Sequence, residues 1–128
     1  MIQLKHVMKE YRIGGEVVKA LNDISLDIQA GEFIAIMGVS GSGKSTLLNI
    51  LGCMDRPSSG EYLLDGVSVS SLNDRKLSNI RNRKVTFVFQ HFALMEKYTA
   101  YENIELPLLR RKLSRSERKK IIRSAAEQ

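Results

Sequence analysis

A chain of 128 residues, 43% hydrophobic and 27% charged, has the composition of one globular domain or part of one. Its longest apolar runs fall far short of the ~20 residues of a membrane-spanning helix, and the N-terminus alternates polar and apolar residues, unlike a secretory leader. The net charge of +6 is concentrated in Arg110, Arg111, Lys112, Arg115, Arg118, Lys119, Lys120 and Arg123. With no aromatic residue there to stack on bases, this segment reads as a solvated helical face rather than a nucleic-acid surface.

In chain order, Ile2, Leu4 and His6 alternate with Gln3, Lys5 and Val7, which predicts an N-terminal strand. Ile24, Leu26 and Ile28 alternate with Ser25, Asp27 and Gln29, which predicts a second. The Gly14-Gly15 turn between them makes the pair antiparallel. After the turn at Ala30-Gly31-Glu32, Phe33-Ile34-Ala35-Ile36-Met37 is continuously apolar, as in a strand buried on both faces. Leu47, Leu48, Ile50 and Leu51 form one helical face, ended by Gly52 and Pro57, with Cys53 as a small core residue. A lone cysteine forms no internal disulfide, and a cytosolic location is the default.

Glu61-Tyr62-Leu63-Leu64 predicts a strand that turns at Asp65-Gly66 and continues through Val67 and Val69. Ser71-x-x-Asp74 has the form of a capping box for a helix running to about Arg83. Val85-Thr86-Phe87-Val88-Phe89 predicts a second buried strand. Glu102 to Leu106 is helical, ended near Pro107, and a basic helix starts at Ser114. Antiparallel strands, then strand–loop–helix, then helices indicate a mixed α/β architecture.

Between the apolar run and the helix lies Gly38-Val39-Ser40-Gly41-Ser42-Gly43-Lys44-Ser45-Thr46, a G-x-x-x-x-G-K-[ST] phosphate loop. Glycines let the backbone wrap close to phosphate with its N–H groups inward. Lys44 brings a cation to the β- and γ-phosphates, Ser45 a hydroxyl for Mg²⁺, and Thr46 a hydroxyl at a helix N-terminus that favours anions. Two other glycine motifs fail. A dinucleotide fingerprint beginning at Gly41 and Gly43 needs glycine or alanine where Thr46 stands, and a kinase glycine loop fails at the same place.

The chain resembles the ATP-binding subunit of ABC transporters, in the branch of macrolide exporters and lipoprotein-release systems. The resemblance rests on Ala20–Leu26, Gly31–Gly38, Leu47–Pro57, Ser59–Tyr62, Phe87–Gln90 and Thr99–Pro107. Val39 departs from it, standing where the branch commonly has proline. The fold implied is a P-loop NTPase core with an N-terminal antiparallel β-subdomain (residues 1–30 and 60–70). A P-loop strand and helix (31–58) come next, then a helix with the Gln90 strand and loop (71–98) and the start of a helical subdomain (99–128).

By position, the resemblance implies that Tyr11 stacks on adenine, although on its own it reads as a strand-end tyrosine. It implies that Gln90 contacts Mg²⁺ and the attacking water, and that the segment 91–101 faces a membrane permease. The ligands implied are ATP and Mg²⁺. The partners are the permease and a second ATP-binding subunit, with no nucleic acid, and the location is the inner face of the cell membrane. His91 reads as a solvent-facing histidine rather than a base, since no carboxylate partner is identifiable.

Several family features have no counterpart in these 128 residues: the L-S-G-G-Q signature, an apolar strand ending in Asp-Glu, and a later histidine that senses the γ-phosphate. Leu113-Ser114-Arg115-Ser116-Glu117 shares only its first two residues with the signature. Phosphoryl transfer needs several such groups together. The expectation is therefore the N-terminal half of an ATP-binding domain, which binds ATP-Mg at most and does not turn it over alone. A non-catalytic nucleotide-binding or interaction fragment is the alternative. A P-loop kinase or nucleic-acid-dependent ATPase lacks a visible acceptor- or base-binding region. The substrate class implied is drug, peptide or lipoprotein.

Overall fold

The structure, a computed structural model, describes residues 1–90 and 93–127. Its backbone divides into two compact units, Met1–Thr86 and Phe87–Gln128.

In the first unit, β1 (Ile2–Ile13) and β2 (Glu16–Ile28) form a long hairpin. Its Gly14-Gly15 turn has φ of 60° and 90°, the left-handed pair that matches the twist of the flanking strands. β3 (Ser59–Leu64) pairs with the other edge of β1, and β4 (Val67–Ser68) adds to β3 through Asp65-Gly66. The sheet is antiparallel, in the order β2-β1-β3-β4. Leu4, Val7, Leu21, Tyr62 and Leu64 pack beneath it with Ile50 and Cys53, and Leu77 closes the far side. These last three come from α1 (Lys44–Leu51), the turn after it, and α2 (Asp74–Lys84).

The strict alternation predicted for β1 breaks at His6. The residue has φ 50°, and the pairing with both neighbouring strands slips between positions 4 and 8. This bulge turns His6 outward to Asp23 (Nδ1–Oδ1 2.7 Å) and brings Val7, expected on the polar face, into full burial. A Cβ on Gly60 would run into the His6 carbonyl, so the bulge also requires glycine on β3.

Neither predicted buried strand is paired. Phe33–Met37 and Val85–Phe89 are extended without a ladder, and Phe33, Met37 and Val88 are 95%, 89% and 90% exposed. A strand exists through its neighbour's hydrogen bonds, and no described strand flanks either segment.

Helix starts also differ in detail from expectation. α2 is capped by Asn73, whose side chain accepts from the Lys76 amide at 3.0 Å, not by Ser71, whose hydroxyl donates to the Ser68 carbonyl. Cys53 lies beyond α1 in a left-handed turn (φ 55°), although it is buried as expected. Leu48 turns away from the core and is exposed.

In the second unit, α3 (Ala100–Glu105) begins earlier than predicted because Thr99 and Glu102 form a capping box. Pro107 sits inside a single 3-10 turn, Leu106–Leu108, rather than stopping the chain. α4 (Arg115–Ala126) starts at the Ser114 cap, with Glu117 completing its box. Leu108 of the 3-10 turn and Ile122 of α4 are buried, and Arg118 of the basic run pairs with Glu105 at 2.9 Å.

Candidate functional site

The phosphate loop joins the exposed 33–37 segment to α1. Three of the four α-helices begin on a side-chain cap: Asn73, Thr99 and Ser114. α1 has none; its N-cap is Gly43, and no acidic residue lies in its first turn. Its leading amides therefore remain available to an outside acceptor, at the positive end of the helix dipole.

Gly43 is fixed from two directions. Its φ of 87° disfavours a side chain, and a Cβ there would collide with the Ala20 carbonyl. That carbonyl is presented by a bulge in β2. Lys9 pairs with Leu21 and Glu10 with Lys19, which leaves Ala20 as the extra residue. The loop is thus seated on the hairpin rather than on a strand before it.

The result is a cavity of about 290 Å³ lined by Ser40, Gly41, Gly43, Lys44, Ser45 and Thr46, with Val18, Lys19 and Ala20 as its opposite wall. Lys44 Nζ donates to the carbonyls of Gly38 (2.8 Å) and Val39 (2.7 Å), so the loop curls around the ammonium. An ammonium has three donors, and the third remains for an anion. The Ser42 amide donates to the Val39 carbonyl at 3.3 Å, closing the curl. A glycine-lined cradle, uncapped helix amides, a lysine and two hydroxyls fit a polyphosphate.

Tyr11 does not line this cavity. It lies opposite Val18 in the β1–β2 register, so it is the cross-strand neighbour of a wall residue. Its hydroxyl donates to Asp55 Oδ2 at 2.9 Å, and Lys9 Nζ lies 4.9 Å from its ring centre. Asp55 also accepts from Lys9 (2.7 Å) and from the Arg56 amide (2.7 Å). Partial burial works to raise its pKa, but Lys9, the Arg56 amide and the Tyr11 hydroxyl outweigh it and hold the carboxyl below its ordinary value.

Gln90 belongs to the second unit, where it is exposed at a bend. His91 lies outside the described residues, as does Phe92. The rest of the 91–101 segment exposes Leu94, Met95 and Tyr98. Asn103 holds this loop: its amide accepts from the Met95 N–H (2.8 Å) and donates to the carbonyls of Met95, Tyr98 and Thr99 (3.0–3.2 Å).

Sequence reasoning missed the Val18–Ala20 wall, the Lys9–Asp55 anchor and the Asn103 clasp. No periodic or motif signal marks the first two, because the bulges that bring them together change the phase of the strands. The clasp carried a local hint in the Thr99-x-x-Glu102 box beside it.

Comparison with known proteins places this geometry. The profile of the ABC transporter family matches residues 21–128. The uncharacterized ABC transporter ATP-binding protein YknY of Bacillus subtilis is 49% identical over 127 residues, covering 99% of this chain and 55% of YknY. The macrolide export ATP-binding/permease protein MacB of Brucella abortus is 50% identical over 120 residues, 94% of this chain and 19% of MacB. Among solved structures, a dimeric post-hydrolysis state of the ATP-binding cassette MJ0796, bound to ADP and Pi, superposes with a TM-score of 0.88 at 46% identity. It comes from Methanocaldococcus jannaschii, and the match covers 99% of this chain and 56% of that one. The chain spans about half the length of the curated ATP-binding proteins it matches. With a phosphate cradle and a matching partial cassette fold, the chain belongs to the ABC transporter family, as ATP-binding domain sequence.

Proposed function

We propose that this chain binds ATP-Mg and serves as the nucleotide-holding part of an ATPase that drives export of a substrate through a membrane partner. The observation that carries this reading is the single cavity in which Gly43, Lys44, Ser45 and Thr46 face the Val18–Ala20 wall. In it, the amides at the start of α1 bind phosphate oxygens, and Lys44 turns its free donor to the β- and γ-phosphates. Ser45 would hold Mg²⁺ from the loop, and Gln90, which matches the family's glutamine by position, is the second residue that would contact it. Mg²⁺, when bound, neutralises charge on the transferring phosphoryl group. Tyr11 offers its ring to adenine beyond Val18.

The partners follow from the same reading. The exposed 93–101 loop, clasped by Asn103, faces the permease, and a second ATP-binding subunit completes the catalytic site. Attachment to the inner membrane face would then run through the permease, since among the described residues no helix is long and apolar enough to cross a membrane by itself. Hydrolysis waits for groups that this chain does not contain.

Calorimetric titration with Mg-ATP tests the binding claim. Lys44→Ala removes a charged donor worth about 2–3 kcal/mol, so affinity falls roughly thirty- to hundredfold. Equal affinity in parent and variant removes the P-loop from the account.

A second reading, an association fragment without turnover of its own, is favoured by the exposure of Phe33, Met37 and Val88. The two readings separate when a polypeptide carrying the remaining half of an MJ0796-type cassette is added. Restored hydrolysis supports the ATPase reading, and a folded complex without hydrolysis supports the second.

A further inference from the structure

We propose that Asp55 and Lys9 are positioning residues that hold the Tyr11 ring as a preset platform for the nucleotide base. The inference rests on the reading of Tyr11 as the base-stacking residue and extends it to two groups to which neither motif nor resemblance assigns a role.

The geometry is specific. Tyr11 is tethered at its far end, where its hydroxyl donates to Asp55 Oδ2 at 2.9 Å. Lys9, two residues back on the same strand, donates to Asp55 Oδ1 at 2.7 Å and to the Arg56 carbonyl at 2.8 Å. Its ammonium lies 4.9 Å from the Tyr11 ring centre, close enough for a cation–π contact that holds one ring face, and in this proposal the base stacks on the other. The Lys9 side chain is only 12% exposed, which makes this a packed arrangement rather than a surface encounter.

Placement gives the tether a purpose. Asp55 follows α1 by four residues, so one short stretch carries the phosphate cradle at its start and the Tyr11 anchor at its end. Tyr11 itself is opposite Val18, one of the residues that line the phosphate cavity. A nucleotide whose phosphates lie on α1 and whose sugar passes Val18 meets a ring already fixed. A free tyrosine would have to be ordered on binding, at a cost of about three- to tenfold in affinity. Despite partial burial, Lys9, the Arg56 amide and the Tyr11 hydroxyl hold the Asp55 pKa below its ordinary value, which keeps the carboxylate ionised, and so an acceptor, at neutral pH.

A purely structural tie between the end of α1 and β1 predicts a different result, which a base-free ligand exposes. The experiment measures affinities for Mg-ATP and Mg-tripolyphosphate in the parent chain, Tyr11→Ala, Tyr11→Phe, Asp55→Ala, Asp55→Asn and the double variant Tyr11→Ala/Asp55→Ala, with thermal melting of each. Tyr11→Ala is expected to lose about tenfold for Mg-ATP, the scale of one stacked base. Asp55→Ala and Tyr11→Phe each lose about three- to tenfold for Mg-ATP and nothing for tripolyphosphate. Asp55→Asn, which retains an acceptor, recovers most of that loss, and Asp55→Ala adds nothing once Tyr11 is alanine.

Equal losses for both ligands in Asp55→Ala and Tyr11→Phe overturn the proposal in favour of a structural tie. A loss in Tyr11→Ala without one in Asp55→Ala or Tyr11→Phe removes the positioning role and leaves stacking intact. No loss in Tyr11→Ala removes stacking and positioning together. Tyr11→Phe keeps the ring and the carboxylate, so it decides the matter if Asp55→Ala does not fold.

Discussion

The hairpin strands β1 and β2 mix polar and apolar residues while the segments 33–37 and 85–89 are almost wholly apolar, yet only the hairpin is paired. Its second strand returns after a two-residue glycine turn, so the chain supplies its own partner at little entropic cost. Phe33–Met37 and Val85–Phe89 are at least as apolar, but no described strand lies beside either one. An apolar, β-branched run thus specifies strand character and leaves the neighbour to be found elsewhere in the fold. The phosphate cradle sits on the paired side of this division. Gly43 rests on the Ala20 bulge, and α1 is packed through Ile50, while the segment leading into the loop contributes little burial.

The largest test of that contrast compares two apolar deletions. Ile50 is fully buried beneath the sheet, so Ile50→Ala costs about 2–5 kcal/mol in chemical denaturation. Phe33→Ala, at an exposed position, changes stability by less than about 0.5 kcal/mol. Similar losses for the two would show that the 33–37 segment is packed in solution.

Next comes Gly43→Ala. A left-handed backbone at a residue with a side chain costs about 1–2 kcal/mol, and the collision with the Ala20 carbonyl adds to it. Melting temperature and Mg-ATP affinity fall together if the cradle is seated on β2. A normal variant would place the loop elsewhere.

Tyr62→Phe is smaller. The buried Tyr62 hydroxyl donates to the Leu51 carbonyl at 2.8 Å, tying β3 to the end of α1, and its loss costs about 1 kcal/mol by denaturation. Burial also pushes the pKa of the Tyr62 phenol well above its ordinary value.

The smallest effect lies at the β3–β4 turn. Asp65 accepts from Lys84 (2.6 Å) and from the N-terminal amine (2.9 Å), which lower its pKa to about 2. Because the folded value lies below the unfolded value of about 3.9, the contribution is fully present above about pH 5 and disappears as pH falls towards 2. NMR titration of the Asp65 carboxyl gives its midpoint near 2, and Asp65→Asn flattens the acid limb of the stability curve in that window.

Much of this was legible in the sequence where chemistry is local. Gly14-Gly15 and Asp65-Gly66 turn the chain as their residues demand, and Ser114 starts a helix. The G-x-x-x-x-G-K-[ST] loop leads into a helix as its sequence predicts, although the motif does not foretell its curl around Lys44. What escaped the sequence depends on slips in strand phase and on distant partners. His6 and Val7 exchange faces because of a bulge that alternation cannot reveal. Ala20 reaches Gly43 by another slip. Tyr11 meets Asp55 across 44 positions, and neither residue type announces the other.

The most direct test of the cradle is an amide NMR titration of this chain with Mg-ATP. The account predicts that the N–H signals of Gly41 to Thr46 move together with those of Val18 to Ala20, while those of α4 remain in place. Movement confined to the basic residues of α4, with the loop and the β2 bulge unchanged, would contradict it.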